Sequence, residues 1–199
     1  MRTRATLVDA ARTVFERDGV VDARIADIAA EAGVAIGSFY TYFARKEDAF
    51  VAVLAELSEE MLHPRMDVAG DDPVAVIEAA NRAYLLAYRR NARIMALMEQ
   101  MAALDDGVAR ARRERAEAFA TRNARAIARL QDRGLADPEL DPVLAASAIS
   151  WMVSRTAWQA FVGGGVTDDV PTLTRQLTRL WANALRLGDG YAARRPDVL

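Results

Sequence analysis

The sequence predicts an all-α protein of about nine helices, and three observations carry that expectation. Apolar residues recur at helical spacing almost from end to end, and no stretch shows the two-residue alternation of a half-buried strand. Glycines and Asp-Pro or Asp-Asp pairs fall where helices would stop and start. No internal repeat is present.

In order along the chain, Leu7, Ala11, Val14 and Phe15 lie at i, i+4, i+7 and i+8 and predict a first helix, stopped at Gly19. Ile25, Ile28, Ala29 and Ala32 form a second, short stripe that ends at Gly33, and Ala35, Phe39 and Phe43 give one face of a third helix. A helix, a turn and a helix thus follow one another within about 20 residues. Ala49, Phe50, Val53, Leu54, Leu57 and Met61 continue as a longer helix, closed by Pro64 and the stretch from Ala69 to Pro73. Asp72 as N-cap and Pro73 as first helical residue open a fifth helix on Val76, Ile77, Ala80, Tyr84, Leu85 and Tyr88. Ile94, Met95, Leu97, Met98 and Met101 mark the sixth. Asp105-Asp106 cap an arginine-rich helix that ends at Gly134, and Asp141-Pro142 open another through Trp151 and Trp158 to the Gly163-Gly164-Gly165 stop. A last helix runs on Leu173, Leu177, Leu180, Trp181, Ala184 and Leu187, and the tail from Gly188 is expected to be loose.

At 199 residues the chain has room for one substantial core, or for a small domain joined to a larger one. With no cysteine, disulfides, thiolate metal sites and thiol nucleophiles are excluded. The basic N-terminus lacks a long apolar core and no segment reaches the ~18 to 20 uncharged residues of a membrane span, so a soluble cytoplasmic protein without a membrane partner is expected. A net charge of −2 advertises no nucleic-acid-binding surface, so any DNA contact must be local. The single histidine, His63, is either a ligand contact or a solvent-facing residue near a helix end, and alone it builds neither a triad nor a metal site. The residues show no convergent catalytic motif, and the sequence predicts no enzyme, cofactor or metal.

Residues 5 to 55 carry a long, specific string: Phe15-x-x-x-Gly19, then Ile28-Ala29-x-x-Ala32-Gly33-Val34, then Gly37-Ser38-Phe39-Tyr40-x-Tyr42-Phe43-x-x-Lys46-Glu47. In this string the chain resembles the TetR family of bacterial transcriptional repressors. The resemblance implies a helix-turn-helix DNA-binding domain over 1–46 and a ligand-binding and dimerisation domain over 47–199. It further implies a homodimer on a pseudo-palindromic double-stranded DNA operator, released by a small-molecule effector. The stretches "RAYLLAYRRNARIMALMEQMAALD" and "RGLADPELDPVLAASAISWMVSRTAWQAF" resemble a subgroup that responds to acyl-CoA thioesters or other lipid-like molecules. Where many members place Thr or Ser at the start of the second helix, this chain reads Asp22-Ala23-Arg24-Ile25. That departure leaves the cap to Asp22, and leaves Arg24 either a phosphate or guanine contact or a solvated charge.

On a helical wheel at about 100° per residue, Ala35 and Phe39 fall on the face that meets the first two helices, with Phe43 continuing it. Gly37, Ser38 and Thr41 lie opposite and Tyr40 on the flank. A glycine on that exposed face lets the backbone approach the floor of a major groove. Tyr40 resembles the family's phosphate-binding tyrosine, although it could be merely an exposed aromatic. Lys46 stands at the N-terminus of the next helix, and Ser38 offers a hydroxyl to the same DNA backbone. Ile36, Gly37, Thr41, Tyr42 and Arg24 are the candidate base readers. Residues 1–50 hold seven basic side chains (Arg2, Arg4, Arg12, Arg17, Arg24, Arg45 and Lys46) against eight acidic ones. Binding therefore needs carboxylates such as Asp27 and Glu31 to face away from the duplex. The near-neutral head keeps a rival open, an interaction or ligand-sensing protein of the same fold that has lost DNA binding.

In the body, Met95 and Met98 belong either to the core or to a soft pocket wall. Asn123 shares a helix face with Phe119, and Arg155 lies between Trp151 and Trp158, where it either braces core or dimer seam by cation-π stacking or meets a ligand's anionic group. Tyr84, Tyr88, Met95, Met98, Phe119, Asn123, Trp151 and Arg155 form the candidate ligand-binding set. The last two helices are expected to pair across a two-fold axis, with Leu177 and Trp181 near the seam.

Overall fold

The computed structural model describes residues 2–63, 72–165 and 167–187. Among them are nine α-helices and no strand: α1 Arg2–Asp18, α2 Ile25–Glu31, α3 Ile36–Tyr42, α4 Lys46–Leu62, α5 Pro73–Arg90, α6 Ala92–Met101, α7 Asp106–Asp132, α8 Pro142–Phe161 and α9 Val170–Ala184. The expected stop at Pro64 and the tail from Gly188 lie outside the described residues. The chain groups into two compact units, Met1–Met61 with Asn91–Arg115, and Leu62–Arg90 with Ala116–Leu199.

In the first unit α1 buries Leu7, Val8, Ala11, Val14 and Phe15 completely or nearly so. It ends where Gly19, at φ 81°, donates its N–H to the Phe15 carbonyl at 2.8 Å, a backbone region that disfavours a side chain. α1 packs on α2 and α6, and α2 packs on α3. Phe15 meets Phe50 of α4 edge to face, with ring centroids 5.4 Å apart. Each such fully buried large side chain contributes on the order of 1.5–3 kcal/mol. Three polar ties join α1 and α4 to the region around α6: Arg12 to Asn91 Oδ1 at 2.6 Å, Arg93 to the Glu16 carbonyl at 3.3 Å, and Arg45 to Asp105 at 3.0 Å.

In the second unit α5 packs on α8 and α9. The Asp-Pro starts hold: Asp72 Oδ1 accepts from Val74 N at 3.0 Å, and Asp141 Oδ1 accepts from Val143 N and Leu144 N at 2.8 Å. α9 begins in the same way, with Asp169 accepting from Thr172 N and Pro171 in its first turn. Gly163 is required by close approach, because a Cβ there would come within 2.4 Å of the Trp158 ring. The α7–α8 connection is fastened by Gln131, whose amide donates to the carbonyls of Asp137 and Leu140, and by the buried Asp137 carboxylate, which pairs with Arg186 at 3.1 Å.

Two expectations are corrected. Leu177 and Trp181 are 3% and 8% exposed within a single chain, so their stripe packs inward beside α5 and does not form a free seam. The apolar side chains that these last two helices leave in solvent are Val143, Leu144 and Trp151 on α8 and Leu180 on α9. Ala35 is exposed and is the N-cap of α3, with extended backbone at φ −66° and ψ 146°. Of the residues within α3, Phe39 alone is buried.

Candidate nucleic-acid interface

A helix of seven residues holds its place through one anchor. Phe39 is fully buried, its ring 5.5 Å from Phe43 and edge-on to Tyr40 at 5.7 Å. Phe43, itself 4% exposed, caps α3 by donating its N–H to the Phe39 carbonyl. Everything else on the helix is free to face outward. Ile36, Tyr40 and Tyr42 are 49%, 57% and 40% exposed, so this one short helix presents three large side chains to solvent. Gly37 and Thr41 are exposed and Ser38 is half-buried. The Thr41 hydroxyl donates back to the Gly37 carbonyl at 3.3 Å. A Cβ at Gly37 would meet nothing within 4 Å, so the glycine answers no packing need of the protein itself.

The cations around this helix are less free than their spacing suggested. Arg24 is the N-cap of α2 and makes no side-chain cap, nor does Asp22 supply one. Its guanidinium forks onto Asp27 at 2.8 and 3.1 Å, and that carboxylate is what raises its pKa. The Lys46 ammonium, expected to await a phosphate, donates to the carbonyls of Val21 and Ala23 and so closes the α1–α2 turn onto the start of α4. Arg45 donates its backbone N–H to Asp48 and its guanidinium to Asp105. The Asp105 carboxyl is held below its ordinary value, first by the Val108 N–H and then by Arg45.

The candidate ligand residues are divided between the two units. Tyr84 and Tyr88 are buried in the second unit, where Tyr84 meets Phe119 edge to face at 5.4 Å and Tyr88 meets Phe161 at 6.3 Å. Asn123 donates to Ser150 Oγ at 2.9 Å. Trp151 is 55% exposed, and the exposed Arg155 lies over the Trp158 ring at 4.4 Å. Met95 and Met98 are buried in the first unit. Sequence reasoning missed Phe161, whose spacing three residues after Trp158 was the available signal. It also missed Arg122, which donates to the Leu62 carbonyl at 2.6 Å and whose pKa burial pushes down. His63 is exposed just past the end of α4. Among the described residues no helix is long and apolar enough to cross a membrane, and no group of three or more His, Cys, Asp or Glu side chains could hold a metal ion.

Residues 7–53 match the family model described as bacterial regulatory proteins, tetR family. No curated protein sequence matches the chain. Solved structures match across nearly its whole length. A putative TetR-family transcriptional regulator from Mesorhizobium loti is 20% identical, with a TM-score of 0.75 over 93% of this chain and 96% of that one. SmeT, the repressor of the Stenotrophomonas maltophilia multidrug efflux pump SmeDEF, is 22% identical, with a TM-score of 0.73 over 94% and 91%. It has also been solved in complex with triclosan. A putative fatty acid metabolism regulator from Clostridium perfringens is 18% identical, with a TM-score of 0.66 over 91% and 97%. The helix-turn-helix carried by α2 and α3 is thus that of the tetR family of bacterial regulatory proteins, a family of regulators and not of enzymes, and the chain as a whole has the all-α fold of TetR-family regulators.

Proposed function

We propose that the protein is a ligand-responsive transcriptional repressor that binds a pseudo-palindromic operator as a homodimer and is released by a small apolar or acyl-type effector. The observation that carries the reading is α3 itself: one buried anchor, large apolar and hydroxyl side chains in solvent, and a glycine with open space around it. Such a face fits a major groove. Ile36 and the Thr41 methyl suit thymine methyls, and Tyr40 and Ser38 suit the sugar-phosphate backbone. Tyr42 and Arg24 are the hydrogen-bonding readers. Arg24 reaches a base only by leaving Asp27, with which it forms a solvent-exposed, readily broken pair. Lys46 retains one donor for a phosphate beyond the two bonded to carbonyls.

Leu144, Trp151 and Leu180 support a two-fold seam of α8 and α9 better than the buried Leu177 and Trp181 do. For the effector, the aromatic group of Tyr84, Tyr88, Phe119 and Phe161, with Asn123 as a polar neighbour on α7, supports an apolar ligand that carries few polar atoms. The triclosan complex of SmeT and the fatty acid metabolism regulator are relatives in fold that make such a ligand class reasonable. Release requires that the ligand bind the DNA-free state more tightly than the bound one.

The ion pairing of the head's arginines favours one other reading, a ligand-sensing protein of this fold that no longer binds DNA. Selecting fragments from the protein's own genomic DNA separates the two. Wild-type protein should retain a small set of fragments, and an Ile36→Ala, Tyr40→Ala, Thr41→Ala variant, which removes no buried side chain, should retain none. Acyl-CoA thioesters added to the retained complexes should then release them if the effector class is right.

A further inference from the structure

We infer that Arg4 is a phosphate-contacting residue of the head, positioned by Phe43 beside the recognition helix; this rests on the DNA-binding reading above. Of the seven cations in residues 1–50, the Arg2 side chain lies outside the described residues. Arg12 pairs with Glu16, Arg17 with Asp18, Arg24 with Asp27, and Arg45 with Asp48 and Asp105. A guanidinium with a carboxylate about 3 Å away presents a phosphate with nearly no net charge, and drawing it off leaves the carboxylate to repel that phosphate. Lys46 keeps its charge but directs two of its three donors into the protein, with Glu47 and Asp48 following it.

Arg4 differs from all of these. It is exposed, and no carboxylate or carbonyl accepts from it among the described residues; its guanidinium carbon lies 5.4 Å from the centre of the Phe43 ring. A cation-π contact holds a guanidinium in place without using its N–H groups as hydrogen-bond donors. The five donors remain available in the forked geometry that suits a phosphate. Phe43 is the C-cap of α3, and its ring is 5.5 Å from that of Phe39, which in turn meets Tyr40. An aromatic row therefore runs from the exposed tyrosine of α3 to the free arginine of α1. The family match starts after Arg4, at Leu7, and so does not include it.

The test is the salt dependence of binding to a fragment retained by the wild type, measured with full-length protein. Arg4→Gln keeps a stem over Phe43 and should lower the slope of log affinity against log salt by about 0.9 per bound chain. The loss should be equal on the retained fragment and on a scrambled duplex, and Arg4→Lys should restore most of the slope. A melting curve accompanies each variant. If Arg4 only shields Phe43, Arg4→Gln lowers the melting midpoint and leaves the salt slope unchanged, which overturns the inference while the regulator reading stands. A wild type that retains no fragment overturns both.

Discussion

Gly37 is tolerated by the protein and demanded by nothing inside it, which is what makes it informative. A glycine in a helix costs up to about 1 kcal/mol relative to alanine. Here the added methyl would enter open space. Gly37→Ala should therefore raise the thermal midpoint of the protein slightly while weakening DNA binding, because the methyl stands where the backbone approaches the groove. A loss of stability, or unchanged affinity, would show that the glycine is not kept for close approach. Part of this scale was legible: Ile36, Tyr40, Thr41 and Tyr42 were expected to face outward, and all four are exposed. Ala35 was misplaced because a wheel assumes the helix has already begun, whereas the chain there is still extended. The Arg24–Asp27 pair was available from its i, i+3 spacing. The attachment of Lys46 to the carbonyls of Val21 and Ala23, more than twenty residues away in sequence, was not, because only the folded turn brings them together.

Among the elements, α9 shows most clearly what a periodic stripe leaves undecided. Its apolar face is evident from Leu173, Leu177 and Trp181, but periodicity says only that the face is covered, not whether its own chain or a second copy covers it. The chain covers it. Leu177→Ala should thus cost about 2–5 kcal/mol of folding stability with no specific change in association. Trp151→Glu with Leu144→Glu should leave the fold intact and give monomers in sedimentation. A double variant that still sediments as a dimer would move the seam elsewhere.

The turn before α7 makes a second, pH-dependent prediction at the same scale. Asp105 accepts from the Val108 N–H at 3.0 Å and from Arg45 at 3.0 Å, and its folded pKa is lowered. Its stabilising contribution is complete above the ordinary carboxylate pKa and is lost as pH falls through the lowered one. Wild type should therefore exceed Asp105→Asn in stability at neutral pH, and the gap in denaturant midpoints should close in acid below about pH 4. A gap independent of pH would mean that the carboxylate's charge contributes nothing there.

For the whole molecule, the helical architecture was legible in the sequence, because helix stops and apolar spacing are local signals. What joins distant elements was not. Arg45 and Asp105 meet across sixty residues. The aromatic group that unites Tyr84, Phe119 and Phe161 draws on three helices whose order alone does not bring them together. In the proposed function, a nearly neutral protein reads DNA through a small, largely uncharged helix. Sequence discrimination should consequently be large even though the electrostatic contribution is modest. The most direct measurement is the ratio of wild-type affinities for a retained genomic fragment and for a scrambled duplex of equal length and composition, at one fixed physiological salt concentration. The expected ratio is about 10³ or more, as specific regulators show. A ratio near one would contradict it.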